Sequence, residues 1–363
     1  GGNGPNVTNG GAGGLGGDAG TAGNGAIGND GAAGTSGTPN ATSGGTGGAG
    51  GNGAAGGAGG TGGAPGGPAV TIGTTWTGRT AASASNWRGV TYGSGAGLYV
   101  GVANGAVMTS PDGVTWTSRT APGGNWWGVG YGGATGQEKF VAVSVAGSTN
   151  AVMTSTDGIT WTARTTPNVA LRSVTYAAGK FVAVGNNGAV VTSTDGVTWT
   201  SQSGISNALQ WRGLAYGNGL FVATANPSNQ LMTSPDGITW TARTASSNSS
   251  WTNVAYGGPA GQQVFVATNE TATVNSVMTS PDGITWTART GSNANQIGAL
   301  TWGGPTGQQR FVAVAYSGSG NRVMTSPDGI TWTSQNSAAD NSWVAATYGG
   351  AAGSEKFVAL ALD

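Results

Sequence analysis

The chain has 363 residues, and charged residues make up 7% of it, with 13 Lys and Arg balanced against 13 Asp and Glu. That balance gives no electrostatic footprint for nucleic acid or for an anionic membrane surface, and no apolar run approaches the ~20 residues that span a bilayer. His and Cys are both absent, which removes disulfides, imidazole or thiolate metal sites, and Ser-His or Cys-His nucleophile pairs.

Residues 1–68 contain 31 glycines, many at every third position, as at Gly25, Gly28, Gly31, Gly34 and Gly37. A three-residue period fits a helix with three residues per turn, and the shortage of proline argues against collagen. The spacing predicts an ordered glycine-rich module whose bare backbones pack side by side; a flexible linker is the plain alternative. The pattern resembles the polyglycine-II bundles of phage tail-fibre adhesins and of a springtail antifreeze protein.

From residue 69 to 363 the sequence repeats. The Trp of each Thr-Trp pair falls at Trp76, Trp116, Trp161, Trp199, Trp240, Trp286 and Trp332, at spacings of 40, 45, 38, 41, 46 and 46 residues. Each unit runs from an apolar strand such as WRGVTYG (Trp87–Gly93), through a Gly-rich turn, to FVAV (Phe181–Val184 and its equivalents). VMTS, an Asp-Gly turn and ITWTART complete it. Four short strands rich in Val, Thr and aromatics, in units of about 40–50 residues, are the signature of a β-propeller blade. First strands begin at Trp87, Trp126, Leu171, Trp211, Trp251, Ile297 and Trp343. The last unit stops after FVALALD, and its missing outer strand is matched by AVTIGTTWTGRT at residues 69–80. The expectation is therefore all-β: a seven-bladed propeller closed by that N-terminal strand.

Asp112, Asp157, Asp195, Asp236, Asp282 and Asp328 occupy the same place in six repeats. Carboxylates spread round a ring cannot pair as acid and base, and one Asp per loop is too few oxygens for calcium. They are expected to be structural, the Gly supplying the tight turn and the Asp accepting turn amides. The stretch resembles the Asp-box of bacterial-neuraminidase-type repeats, which implies a propeller and raises the possibility of a sialidase. That activity calls for three arginines, a Tyr–Glu pair, an acid Asp and an early RIP-like motif. No such motif occurs, and Glu138, Glu270 and Glu355 read as residues of connecting loops. No catalytic, metal or cofactor site is assigned.

Variable loops such as SVAGSTN, ANPSNQ, TNETATVNS and AYSGSGN fall on the face opposite the Asp turns, where recognition normally sits. Beside them, Arg88, Trp126, Trp127, Arg172 and Arg212 stand at the starts of first strands, where the recurring Trp is also a natural blade-packing residue. Guanidiniums beside an aromatic suit an acidic or neutral glycan. The sequence thus points to a non-enzymatic extracellular adhesin, displayed on a cell or virion surface, that binds a glycan or receptor and self-associates into an oligomer or fibre. A divergent glycosidase, an ice-binding glycine-rich protein and an intracellular assembly factor are the rival readings.

Overall fold

A computed structural model describes residues 72–203 and 209–362. Contacts divide the chain into Gly1–Val70 and Thr71–Asp363. The glycine-rich segment, and with it the polyglycine-II and ice-binding expectations, lies outside the described residues.

The second unit is an all-β propeller. Six four-stranded antiparallel sheets, each in sequence order, form blades at residues 87–119, 126–164, 171–201, 210–244, 251–289 and 297–335. A two-stranded sheet, Trp343–Gly349 with Lys356–Ala361, packs between the sixth blade and the first. The expectation of seven four-stranded blades is thus corrected: six are complete. Of the outer strand expected at residues 69–80, the described part from 72 onward forms no ladder with another described strand.

Burial explains why each repeat reads as it does. The second strand is enclosed by neighbouring blades on both faces, so Phe265, Val266 and Ala267 are all fully buried. A continuous apolar run satisfies both faces of such a strand. The fourth strand, TAR at Thr287–Arg289, lies at the rim and is largely exposed. Across one blade an aromatic ladder runs from Tyr256 to Phe265 at 4.7 Å and on to Trp286 at 6.5 Å. Glycine at the end of the first strand lets the next blade approach. A Cβ on Gly349 would lie 2.4 Å from Tyr92 of the first blade, the same conflict that a Cβ on Gly303 would have with Tyr348. The two-stranded sheet therefore seats against both neighbours through the same contacts as a full blade.

Each Asp turn is closed by its own side chains. Asp236 Oδ1 accepts the amides of Ile238 and Thr239 at 2.8 Å each and the Ser234 hydroxyl at 2.9 Å. At Asp112 the amides of Thr115 and Val114, then the Ser110 hydroxyl, hold the carboxyl down at about 2. Asp157 is also held at about 2, where partial burial opposes the shift but the amides of Thr160 and Ile159 prevail. Depressed carboxyl values stabilise the fold above the unfolded-state value near 4, and that contribution is lost as pH falls toward 2. Replacing Asp236, whose carboxyl the Thr239 and Ile238 amides also hold down, by Asn is expected to cost about 1 kcal/mol, reduced by solvent exposure, and to flatten part of the acid dependence below pH 4. Urea melts at pH 7 and pH 3 check both statements.

The N-terminal residues follow the path of a missing blade edge. Gly73, with φ +83°, has Phe357 at 3.3 Å and Val312 at 3.2 Å from its Cβ position; Gly283, φ +74°, has Phe265 at 3.3 Å and Val222 at 3.0 Å. Trp76 Nε1 donates to Gly73 O at 3.0 Å, as Trp286 does to Gly283 O at 3.2 Å. Ile72 stands where the other turns carry Asp. The seam is crossed again by Lys356 Nζ, which donates to Asp112 O at 2.8 Å, and by the Tyr99 hydroxyl, which donates to Gly349 O.

Candidate functional site: a guanidinium cluster in the central channel

Every inner strand carries a register break after its first core residue. It falls between Trp87 and Gly89, Trp126 and Gly128, Trp211 and Gly213, and at the matching place in the other sheets. A bulge leaves one residue without a ladder partner and re-aims its side chain. The re-aimed residues include Arg88, Trp127, Arg172, Arg212 and Thr252, and all five line a central cavity of about 440 Å³. The fold thus converts one irregularity, repeated in each sheet, into a ring of side chains around the axis.

The recurring Trp behind each bulge has the other fate. Trp126 is fully buried, donates Nε1 to Pro122 O at 3.0 Å and belongs to the core between the first two blades. It is not among the cavity-lining residues, so of the five candidate residues it is the one that the structure sets apart from the site.

The other four converge. The Arg88 guanidinium lies 4.3 Å and that of Arg172 4.7 Å from the Trp127 ring centroid. Arg172 Nε donates to Asn186 Oδ1 at 2.6 Å. Arg212 Nη1 lies 3.6 Å from Glu270 Oε2. Arg172 Nη1 and Arg212 Nε are buried and have no hydrogen-bond partner among the described residues. Burial, then the neighbouring Arg212 and Arg88 charges, lower Arg172 to about 10 against the opposing pull of Glu270. Arg88 is lowered by burial and by Arg212. Both remain cationic at neutral pH, in a site whose described residues carry three positive side chains and one negative.

Glu270 lies in a connecting loop, as its sequence suggests, and that loop brings it to the channel. It follows the second strand of the fifth blade, lines the cavity, accepts from Asn226 Nδ2 and from the Tyr316 hydroxyl at 3.4 Å, and faces Arg212. Burial and then the Glu270 charge push the Tyr316 hydroxyl up to about 12. Asn226 ends the second strand of its blade, and Glu270 and Tyr316 directly follow theirs, but nothing in their local sequence says that they meet. The one available signal is that charged residues are scarce in this chain.

The fold and the site together define a propeller with a polar, cationic channel. Residues 133–250 match the family described as DUF6242 beta propeller domain. No curated protein matches the chain. Among solved structures it is similar to YCF48 from Cyanidioschyzon merolae, with 14% identity and a TM-score of 0.56 over 74% of this chain and 91% of that one. It is similar also to virginiamycin B lyase from Staphylococcus aureus, with 11% identity and a TM-score of 0.61 over 74% of this chain and 90% of that one. A structure described as YCF48 bound to D1 peptide aligns at 17% identity and a TM-score of 0.53, covering 70% of this chain and 82% of that one. At these identities the likeness is one of fold.

Proposed function

We propose that this protein is a non-enzymatic extracellular adhesin, of the kind displayed on a bacterial or phage surface, whose Asp-box propeller has seven positions and binds an acidic glycan at its channel. The observation that carries this reading is the convergence of Arg88, Arg172 and Arg212 on one cavity with, among the described residues, a single carboxylate, leaving buried guanidinium N–H groups to be met by an oxyanion. Guanidinium forks match carboxylate and sulfate groups bidentately. The Trp127 ring is engaged by two guanidiniums, so selectivity rests on charge more than on stacking a neutral sugar. Seven positions are supported by the two-stranded sheet and by the Gly73–Trp76 turn that lies where a seventh blade needs one. Display on a surface and self-association into a fibre rest on the sequence of the glycine-rich segment.

A second reading, a divergent sialidase-like glycosidase, is favoured by one feature: a Tyr–Glu pair beside three arginines. Against it, Glu270 is the single carboxylate of the cavity lining among the described residues and is already held by Asn226, Tyr316 and Arg212. No acid Asp accompanies the Tyr–Glu pair among the described lining residues, and a hydroxyl raised to about 12 is a poor nucleophile.

A glycan array probed with the full chain, repeated at raised salt, tests the proposal together with a chromogenic sialoside assay. Carboxylated or sulfated glycans should be retained, their signal falling with salt, and the sialoside should stay intact. Retention of neutral glycans alone would overturn the binding mode, and release of the chromophore would establish the enzyme.

A further inference from the structure

Among the described residues, the two-stranded sheet leaves a hollow beside its outer strand, and the six complete blades say what belongs there. In each of them the second strand pairs with a short third strand, Val-Met-Thr-Ser in four cases. In the fifth blade Met278 lies opposite Ala267 and packs in a cluster with Leu231, Trp251 and Trp286. The equivalents of these four at the two-stranded sheet are Ala359, Val323, Trp343 and Trp76, and all four line a hollow of about 170 Å³. Trp251 is 1% exposed, whereas Trp343 is only half-buried. The outer edge of Lys356–Ala361 has no strand partner among the described residues.

The chain's own sequence is a poor match for this place. In every complete blade the third strand includes the sixth to the third residue before the turn glycine, as Val277–Ser280 does before Gly283. Counted back from Gly73, the corresponding residues are Gly67, Pro68, Ala69 and Val70, which lie outside the described residues. Pro68 stands where five blades have Met and one has Val191. Proline has no N–H to give a ladder and lacks the volume of Met.

We propose that this hollow is a strand-acceptor site for an extended segment of a separate protein chain. The segment follows the pattern Val-Met-Thr-Ser, its Met filling the space between Trp343, Ala359, Val323 and Trp76 and its backbone pairing with the second strand. Addition of a strand to an exposed sheet edge draws affinity from main-chain hydrogen bonds and specificity from alternate side-chain pockets. The six filled copies of the same groove in this molecule define that specificity. The inference is independent of the channel site.

A peptide with the sequence of residues 275–283, NSVMTSPDG, is the probe, with hydrogen exchange of the full-length chain as the readout. It should slow exchange of the outward-facing amides among residues 357–360 by about tenfold or more at saturation. The same peptide carrying Met278→Asp should leave them unchanged. Failure of the unmodified peptide to slow exchange at millimolar concentration would overturn the proposal. So would exchange that is already slow in the protein alone, because the groove would then be filled from within.

Discussion

Removal of residues 69–80 is expected to destabilise the propeller by about 3–5 kcal/mol, the combined cost of losing the half-buried Ile72 and Trp76 together with their packing. Ile72 and Trp76 pack in the cluster that contains Phe357 and Trp343, and Gly73 fits between Phe357 and Val312. Without them the two-stranded sheet keeps its inner contacts, but the apolar side of its outer strand faces water. Aggregation is the accompanying expectation, since exposed edges recruit other chains. Trp76→Ala is the milder variant, at about 2 kcal/mol, because Trp76 is only half-buried. Denaturant melts of both variants, with sedimentation of the deletion, decide it. A deletion that melts like the parent would show that the ring holds without its N-terminal turn, leaving Lys356 and Tyr99 as the seam's polar ties.

Substitution of Arg172 by Ala separates binding from stability. Its Nη1 is one of the two unpartnered buried guanidinium nitrogens, so an acidic glycan should lose a charge-assisted hydrogen bond worth about 2 kcal/mol, roughly a 30-fold weaker Kd. Stability should hold or rise slightly. A guanidinium whose pKa is lowered in the folded state is disfavoured there when charged, so its contribution to stability is unfavourable at neutral pH and eases as pH rises through 10. Binding has the opposite sign: it needs the cation and should weaken as pH passes 10. Calorimetric titration of the parent and the variant with a glycan from the array checks both signs. Equal affinity in the two proteins would remove the channel cluster from the recognition site.

Much of this architecture was legible because a repeat states its own environment many times. The Trp spacings, the buried second strand and the Asp-Gly turns are local: each depends on residues within a few positions, and the same solution recurs wherever the same letters occur. Asp236 binds amides two and three residues away, so its role as a turn-former needs no knowledge of the rest of the ring.

What the sequence could not decide is whatever depends on register and on distance across the ring. A bulge of one residue sends Trp126 into the core and Trp127 into the channel, and two adjacent tryptophans carry no label that distinguishes them. Glu270 reads as one more loop residue. Only closure of the ring sets it against Arg212, 58 positions earlier, and Tyr316, 46 positions later. The course of residues 72–80 was predicted as a strand because the letters match one. A strand, however, needs a partner edge at hydrogen-bonding distance, and no third strand pairs with Lys356–Ala361 among the described residues. Turn chemistry and side-chain packing are written locally and survive at Gly73 and Trp76; ladder pairing belongs to the tertiary structure, which here leaves the last sheet with two strands.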